Sequence, residues 1–260
     1  MADCERPFFA STALGRRPVR CGKCIPCQAA RRDEWAFRMC MESKGHLSSI
    51  FVTLTYSPEN LPSDLSVNKK SFQDFMKRYR KAISPRQVRF YACGEYGTDS
   101  GRPHYHAIIF GAPESDLGPL NKAWGLGFVS VFPFSLASAR YVAKYVIKAD
   151  QKVIKGREKP FALMSRRPGI GRNFVDSSIA QLAHREEQFL QTNGSLVYDG
   201  QFFPIPRYIK DKFAEEGFPI TLEQNPDEVR VVPQRTDDEK AAAAERVRAR
   251  IRQSRLKESI

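Results

Sequence analysis

The sequence predicts an α+β fold, an antiparallel sheet with helices packed on one face. Three observations predict it. Short runs rich in β-branched and aromatic residues alternate with segments whose apolar residues recur at helical spacing. Two of the strand runs are joined by a short, glycine-marked connection, which suits a hairpin. The order strand, helix, two strands, helix, strand, helix matches a sheet-and-helix sandwich rather than a βαβ repeat.

Residues 31–45 (RRDEWAFRMCMESKG) read as a helix, after an N-terminal stretch, 1–30, that holds four of the six cysteines. Ile50 to Tyr56 reads as the first strand, and Pro58 and Pro62 punctuate the loop after it. Phe72, Phe75, Met76, Tyr79 and Ile83 give helical spacing across Lys69 to Ile83. Val88 to Cys93 is the second strand, Gly94, Gly97 and Gly101 mark a turn region, and His104 to Phe110 is the third strand. A short helix covers Leu117 to Trp124, and a strand runs from Gly127 to Phe132. Ser135 suits a helix N-cap for a helix from Leu136 to Ala149. Beyond about 150 the pattern weakens: 173–190 reads as helix, 194–203 as a hairpin around Asp199-Gly200, and the tail from 236 as a solvated helix. This gives a Cys-rich segment at 1–45, a central domain at 46–175, an elaboration at 176–235 and a charged tail at 236–260.

The 260 residues carry 42 Lys+Arg against 29 Asp+Glu, a formal charge of +13, with 42% hydrophobic residues. That composition supports a packed core and a polyanionic partner, nucleic acid first. No stretch reaches the roughly 18 to 20 apolar residues that span a bilayer. The first residues lack the basic start and apolar run of a signal peptide, so no membrane association is expected and the cysteines are expected to be reduced.

Three groups of residues carry chemistry. His104 and His106 stand two apart on a strand and therefore share a face. With Glu95, nine residues upstream of His104, they make a two-histidine, one-carboxylate set for a divalent cation, which polarises phosphoryl oxygens. Exposed strand histidines are the plainer alternative. On the following helix Tyr141, Lys144, Tyr145 and Lys148 fall opposite an apolar stripe. A tyrosine can form a covalent intermediate, helped by neighbouring positive charge. Tyrosines half-buried against a sheet are the rival reading. Cys21, Cys24 and Cys27 form C-x₂-C-x₂-C, which suits Zn²⁺ if a fourth ligand exists. Cys4 is the first candidate, with Cys40 and His46 as alternatives. Arg31 stands where an iron–sulfur run would need cysteine. Residues 151–175 add seven basic side chains against one acid, and Arg166, Arg167 and Arg172 beside Gly169 and Gly171 suit phosphate contact, as does Lys148.

The chain resembles the HUH-type rolling-circle replication initiators, in particular those of gokushovirus-type microviruses. FVTLTY at 51–56, RPHYHAIIF at 102–110 and YVAKYVIK at 141–148 look like the family's three motifs, in order. CGKCIPC at 21–27 and ALMSRRPGIG at 162–171 look like that phage group. The resemblance implies an HUH endonuclease domain with an RRM-like or ferredoxin-like antiparallel sheet. It implies that His104, His106 and Glu95 hold Mg²⁺ or Mn²⁺, and that Tyr141 and Tyr145 are paired nucleophiles beside Lys144. It implies origin nicking that joins tyrosine to the 5′ phosphate, leaves a 3′-OH primer, and ends in strand joining. The chain has no GxxxxGK[ST] loop, so a host helicase and a host DNA polymerase are expected partners, in the bacterial cytoplasm. A relaxase or transposase would use the same chemistry. A non-catalytic nucleic-acid-binding module and a hydrolase activating water at the same triad are the rival classes.

Overall fold

The structure is a computed structural model. It describes residues 4–12, 15–97, 100–144, 156–185, 190–192, 194–218 and 220–222, with positions 238, 242 and 245. Residues 1–33 and 223–260 form one compact unit, and residues 34–222 form a second.

In the first unit β1 (Phe8–Thr12) pairs antiparallel with β2 (Gly15–Val19), and α1 (Ile25–Ser43) begins shortly after. The sequence pattern starts this helix at 31. Its observed start is six residues earlier, with Pro26 in the first turn, where a missing N–H costs no helical bond. Cys27 thus sits on a helix rather than in a loop.

The second unit is built on a five-stranded antiparallel sheet. Its strands are β3 (Ser49–Tyr56), β4 (Arg89–Tyr96), β5 (Pro103–Phe110), β6 (Gly127–Pro133) and β7 (Phe161–Met164), in the order β6-β3-β5-β4-β7. Alternation divides the side chains. Val52, Leu54, Tyr105, Ala107 and Ile109 face α2 (Lys69–Ala82) and α3 (Leu117–Trp124), whose Phe72, Phe75, Tyr79 and Trp124 are fully buried. On the opposite face Tyr91, Cys93, Ile108 and Phe110 pack with Phe37, Met39 and Met41 of α1 and with α4 (Leu136–Ala143). Helices therefore cover both faces, where the sequence pattern predicts one. β5 requires this, because seven of its eight residues are buried.

Two further departures involve glycine. β4 runs on to Tyr96 instead of turning at Gly94. Gly94 is paired with Phe161 of the edge strand β7, and a Cβ there would lie 2.7 Å from the Phe161 ring. The glycine admits a ring from the neighbouring strand. The Gly169–Gly171 segment, which in sequence suits an approach to phosphate, has its backbone against protein instead. A Cβ on Gly169 would lie 2.6 Å from the Tyr208 hydroxyl, and the Gly171 N–H donates to Glu42 Oε2 at 2.6 Å. Glu42 Oε1 also accepts from Arg89 Nε at 2.5 Å, and Arg38 Nε donates to the Ile170 carbonyl at 3.0 Å. These bonds tie the loop after β7 to α1 and β4.

α5 (Arg172–His184) and α6 (Arg207–Glu215) pack through Val175, Leu182, Ile209 and Phe213. β9 (Ser195–Tyr198) and β10 (Gln201–Pro204) form the expected hairpin. Asp199 and Gly200 both have positive φ, as a two-residue hairpin turn requires. β8 (Leu190–Thr192) pairs parallel with β11 (Ile220–Leu222). No helix among the described residues is long and apolar enough to cross a membrane.

Candidate active site

The sheet register places Glu95 of β4 directly opposite His104 of β5, and His106 opposite Thr53 of β3. All three candidate ligands point to the face that carries α4. Glu95 Oε1 lies 3.0 Å from Nε2 of His106 and 3.2 Å from Nε2 of His104. Both imidazoles are oriented through their other nitrogen. His104 Nδ1 donates to the Arg102 carbonyl at 3.1 Å, and His106 Nδ1 lies 2.9 Å from Thr53 Oγ1. Such partners set tautomer and ring orientation, and for His104 they leave Nε2 as the lone-pair nitrogen.

Burial sets the charge of the pair. Glu95 is 4% exposed and His106 7%. Desolvation pulls the His104 pKa down, but the hydrogen bond and charge of Glu95 outweigh it, and the net shift is upward. At His106 desolvation prevails over Glu95, with His104 and Lys144 adding to it, so its pKa falls and the neutral imidazole is favoured.

α4 brings in the tyrosine. Its start is a capping box: Ser135 Oγ accepts the Ser138 N–H at 3.1 Å, and Ser138 Oγ accepts the Ser135 N–H at 2.9 Å. Leu136, Ala139, Val142 and Ala143 then face the sheet. Tyr141 turns its hydroxyl to 3.2 Å from both Glu95 Oε1 and His106 Nε2. Its ring meets His106 edge-on at 4.8 Å, and Lys144 Nζ lies 3.5 Å from the ring centroid. Tyr145 and Lys148 lie outside the described residues.

The three ligand atoms fit a divalent cation. Their mutual distances stay within 4.8 Å. Adjacent octahedral ligands at about 2.1 Å from a metal stand about 3 Å apart, close to the two contacts with Glu95 Oε1.

Comparison with known proteins bears out the resemblance. Residues 49–150 match the family model of the replication-associated protein ORF2. That span holds β3, the histidine strand and the tyrosine helix. The chain is 30% identical to replication-associated protein VP4 of Bdellovibrio phage phiMH2K over 219 residues, 74% of this chain and 66% of that protein. It is 28% identical to replication-associated protein ORF4 of Chlamydia phage 1 and 25% identical to replication-associated protein ORF2 of Spiroplasma virus 4. Those alignments cover 75% and 76% of this chain, and 53% and 68% of the two proteins. The chain belongs to this family of replication-associated proteins. No solved structure matches it.

This family member has a second ligand-rich cluster, in the other unit. Cys4, Cys21, Cys24 and Cys27 hold their sulfurs within 4.8 Å of one another. Sγ of Cys21 and Cys27 are 3.9 Å apart, and Sγ of Cys24 and Cys4 4.0 Å. Tetrahedral Zn²⁺ with bonds of about 2.3 Å places its sulfurs about 3.8 Å apart. Backbone N–H groups of Cys24 and Lys23 lower the Cys21 thiol to about 6, while burial raises Cys24 and Cys27. Of the three candidates for the fourth position, Cys4 is the one that joins the cluster. Cys40 is buried in the second unit's core and pushed up to about 12 by that burial, and His46 pairs with Glu42.

The predicted phosphate-contact arginines do not gather at the tyrosine. Arg166 and Arg167 line a cleft of about 910 Å³ with Arg80, Arg86 and Arg89. The cleft lies at the Arg89–Phe110 end of the sheet, six register positions from Glu95–His104, or roughly 20 Å at about 3.4 Å per residue. Arg172 is held by Asp176, Nε to Oδ1 2.6 Å, and by Glu216. The sequence pattern alone does not single out Phe128 and Phe132 of β6, which stand exposed on the Tyr141 face of the sheet. A signal is nonetheless present: two rings four apart on a strand point the same way.

Proposed function

We propose that the chain initiates rolling-circle replication of a phage genome by opening DNA at the origin through a tyrosine transesterification. The observation that carries this reading is the Tyr141 hydroxyl at 3.2 Å from both Glu95 Oε1 and His106 Nε2. Glu95, His104 and His106 hold Mg²⁺ or Mn²⁺, which supplies Lewis-acid charge at the phosphoryl oxygens. Tyr141 Oη attacks phosphorus, forming the Oη–P bond as the P–O3′ bond breaks. Its proton passes to Glu95, whose Oε1 already accepts the phenol O–H. The bonding pair leaves on the 3′ oxygen, which takes a proton from solvent and becomes the primer hydroxyl. Lys144, beside the Tyr141 ring, contributes positive charge where phenolate and phosphate charge develop. Thr53 and the Arg102 carbonyl keep the two imidazoles oriented.

Further parts of the reading rest on the family. Tyr145 serves the second cleavage, and strand joining closes the circle. Arg166, Arg167 and Lys148 contact DNA phosphates, a host helicase and host DNA polymerase act with the protein in the bacterial cytoplasm, and the four cysteines hold structural Zn²⁺.

The test uses a single-stranded origin oligonucleotide labelled 3′ to the nick, with Mn²⁺, on a denaturing gel. A labelled protein band that requires metal and disappears in the Tyr141→Phe/Tyr145→Phe double variant is the expected result. Loss in one single variant assigns the first cut. Cleavage without any protein adduct assigns the triad to water activation instead, and binding without cleavage reduces the protein to a DNA-binding module.

A further inference from the structure

The register of the sheet extends the candidate site to the edge strand. Across β6, β3, β5 and β4 one row reads Phe128, Thr55, His104, Glu95. The next reads Ser130, Thr53, His106, Cys93, and the one after it Phe132, Phe51, Ile108, Tyr91. Every residue in these rows faces the side of the sheet that carries Tyr141. Phe128 is 66% exposed and Phe132 52%. The aromatic rings of α2 and β5 are buried completely, so these two stand apart from the core.

The aromatic surface is continuous with the reacting groups. Phe132 lies 6.1 Å from Phe51, centroid to centroid. Phe51 stacks on His106 at 5.5 Å and meets Tyr141 edge-on at 5.9 Å. Phe128 stands two strands from His104, about 10 Å at ~4.8 Å per strand. Between the rings lie hydroxyls, not further apolar residues: exposed Ser130, and half-buried Thr53 and Thr55. Flat apolar faces with polar groups between them match a nucleobase, which has a π face and a hydrogen-bonding edge. A protein partner would bury a more continuous apolar patch. The chain's formal charge of +13 favours the same ligand.

We propose that Phe128 and Phe132 form a stacking platform for unpaired bases of the single-stranded DNA beside the scissile phosphate. This rests on the transesterification reading of the neighbouring site. The platform holds the strand across β6 and β3 and so positions the phosphate at Tyr141; the phenylalanines are positioning residues and take no part in bond making.

The test separates binding from chemistry. A fluorescent single strand of mixed sequence, the same sequence as duplex, and the same strand with a tract of abasic nucleotides are titrated by anisotropy. EDTA is present and the Tyr141→Phe background is used, so no cutting can occur. Phe128→Ala and Phe132→Ala are expected to weaken single-strand binding about 5- to 100-fold. Phe128→Trp is expected to preserve it. Duplex binding and melting temperature stay unchanged, because both positions are exposed. The preference for the base-bearing strand over the abasic strand shrinks in the alanine variants. Equal losses on single strand and duplex, or no loss on either, overturn the platform. So does light scattering that finds a dimer dissociated by Phe128→Ala, which makes β6 an interface between two copies. Adduct formation by the otherwise unaltered protein is scored separately, so the platform can fail while the tyrosine chemistry stands, and the reverse.

Discussion

Tyr141 and Glu95 meet through a single oxygen: Glu95 Oε1, 3.2 Å from the phenol, is also 3.0 Å from Nε2 of His106 and 3.2 Å from Nε2 of His104. One carboxylate oxygen therefore joins the prospective nucleophile to both prospective metal ligands. Local charge and nucleophile position are set by the same side chain.

Glu95→Gln keeps the shape of this junction and removes its charge. Adduct formation is expected to fall on the order of 100-fold at fixed Mn²⁺, with partial recovery as Mn²⁺ is raised. Single-strand binding in EDTA is expected to stay within about twofold. The measurement is the rate of adduct formation across a Mn²⁺ titration. A variant with wild-type rates at every metal concentration removes Glu95 from the site.

The four thiols make a metal prediction that needs no DNA. Protein purified without chelator is expected to carry zinc, measured by elemental analysis. Cys4→Ser is expected to lose most of it, while Cys40→Ser retains it, since Cys40 belongs to the second unit's core and not to the cluster. Equal zinc in both variants excludes Cys4 as a ligand.

Glu42 gives a prediction about acid stability. Burial alone would raise its pKa, but the His46 contact, the Gly171 N–H and Arg89 outweigh burial and the net shift is downward from 4.5. A carboxylate with a depressed folded pKa contributes stability that is fully present above about 4.5 and is lost as pH falls through the folded value. Glu42→Gln is expected to cost about 2–4 kcal/mol at pH 7, because Arg89 loses its buried partner. Urea unfolding at pH 7 and at about pH 3.5 checks this: the gap between wild type and variant should narrow in acid. A constant gap points to packing rather than charge.

Gly94 gives a prediction about packing. Gly94→Ala puts a methyl 2.7 Å from the Phe161 ring and is expected to cost about 1–3 kcal/mol. Adding Phe161→Leu should recover part of that loss. Thermal melts of the two single variants and the double variant measure the coupling, and simple additivity would mean that the ring and the glycine do not meet.

The local chemistry is legible in the sequence because it depends on short-range periodicity. Side chains two apart on a strand share a face, so His104 and His106 have to be neighbours. A 3.6-residue period places Tyr141 beside Lys144, and a serine before an apolar helix announces the cap at Ser135. The turn at Asp199-Gly200 is legible for the same reason. Glu95 is legible as a candidate third ligand but not as a strand residue. The sequence pattern ends that strand at Cys93, because Gly94 reads as a turn until its packing partner, Phe161, is known.

Sequence alone thus specifies the strands and helices at the centre of the chain, the face shared by the histidine pair, and the thiol run at 21–27. Which distant residues join them is settled in three dimensions. Cross-strand register sets Glu95 against His104 and carries Phe128 into the same row. The N-terminal fold brings Cys4 to the other three thiols, in preference to Cys40 or His46. Packing puts α1 on the second face of the sheet, a placement no local period could announce. The physical reason is range. Helical and strand periods are written in residues two to four apart. Register, edge-strand pairing and ligand sets depend instead on contacts between residues far apart in the chain, whose free energies belong to the assembled core.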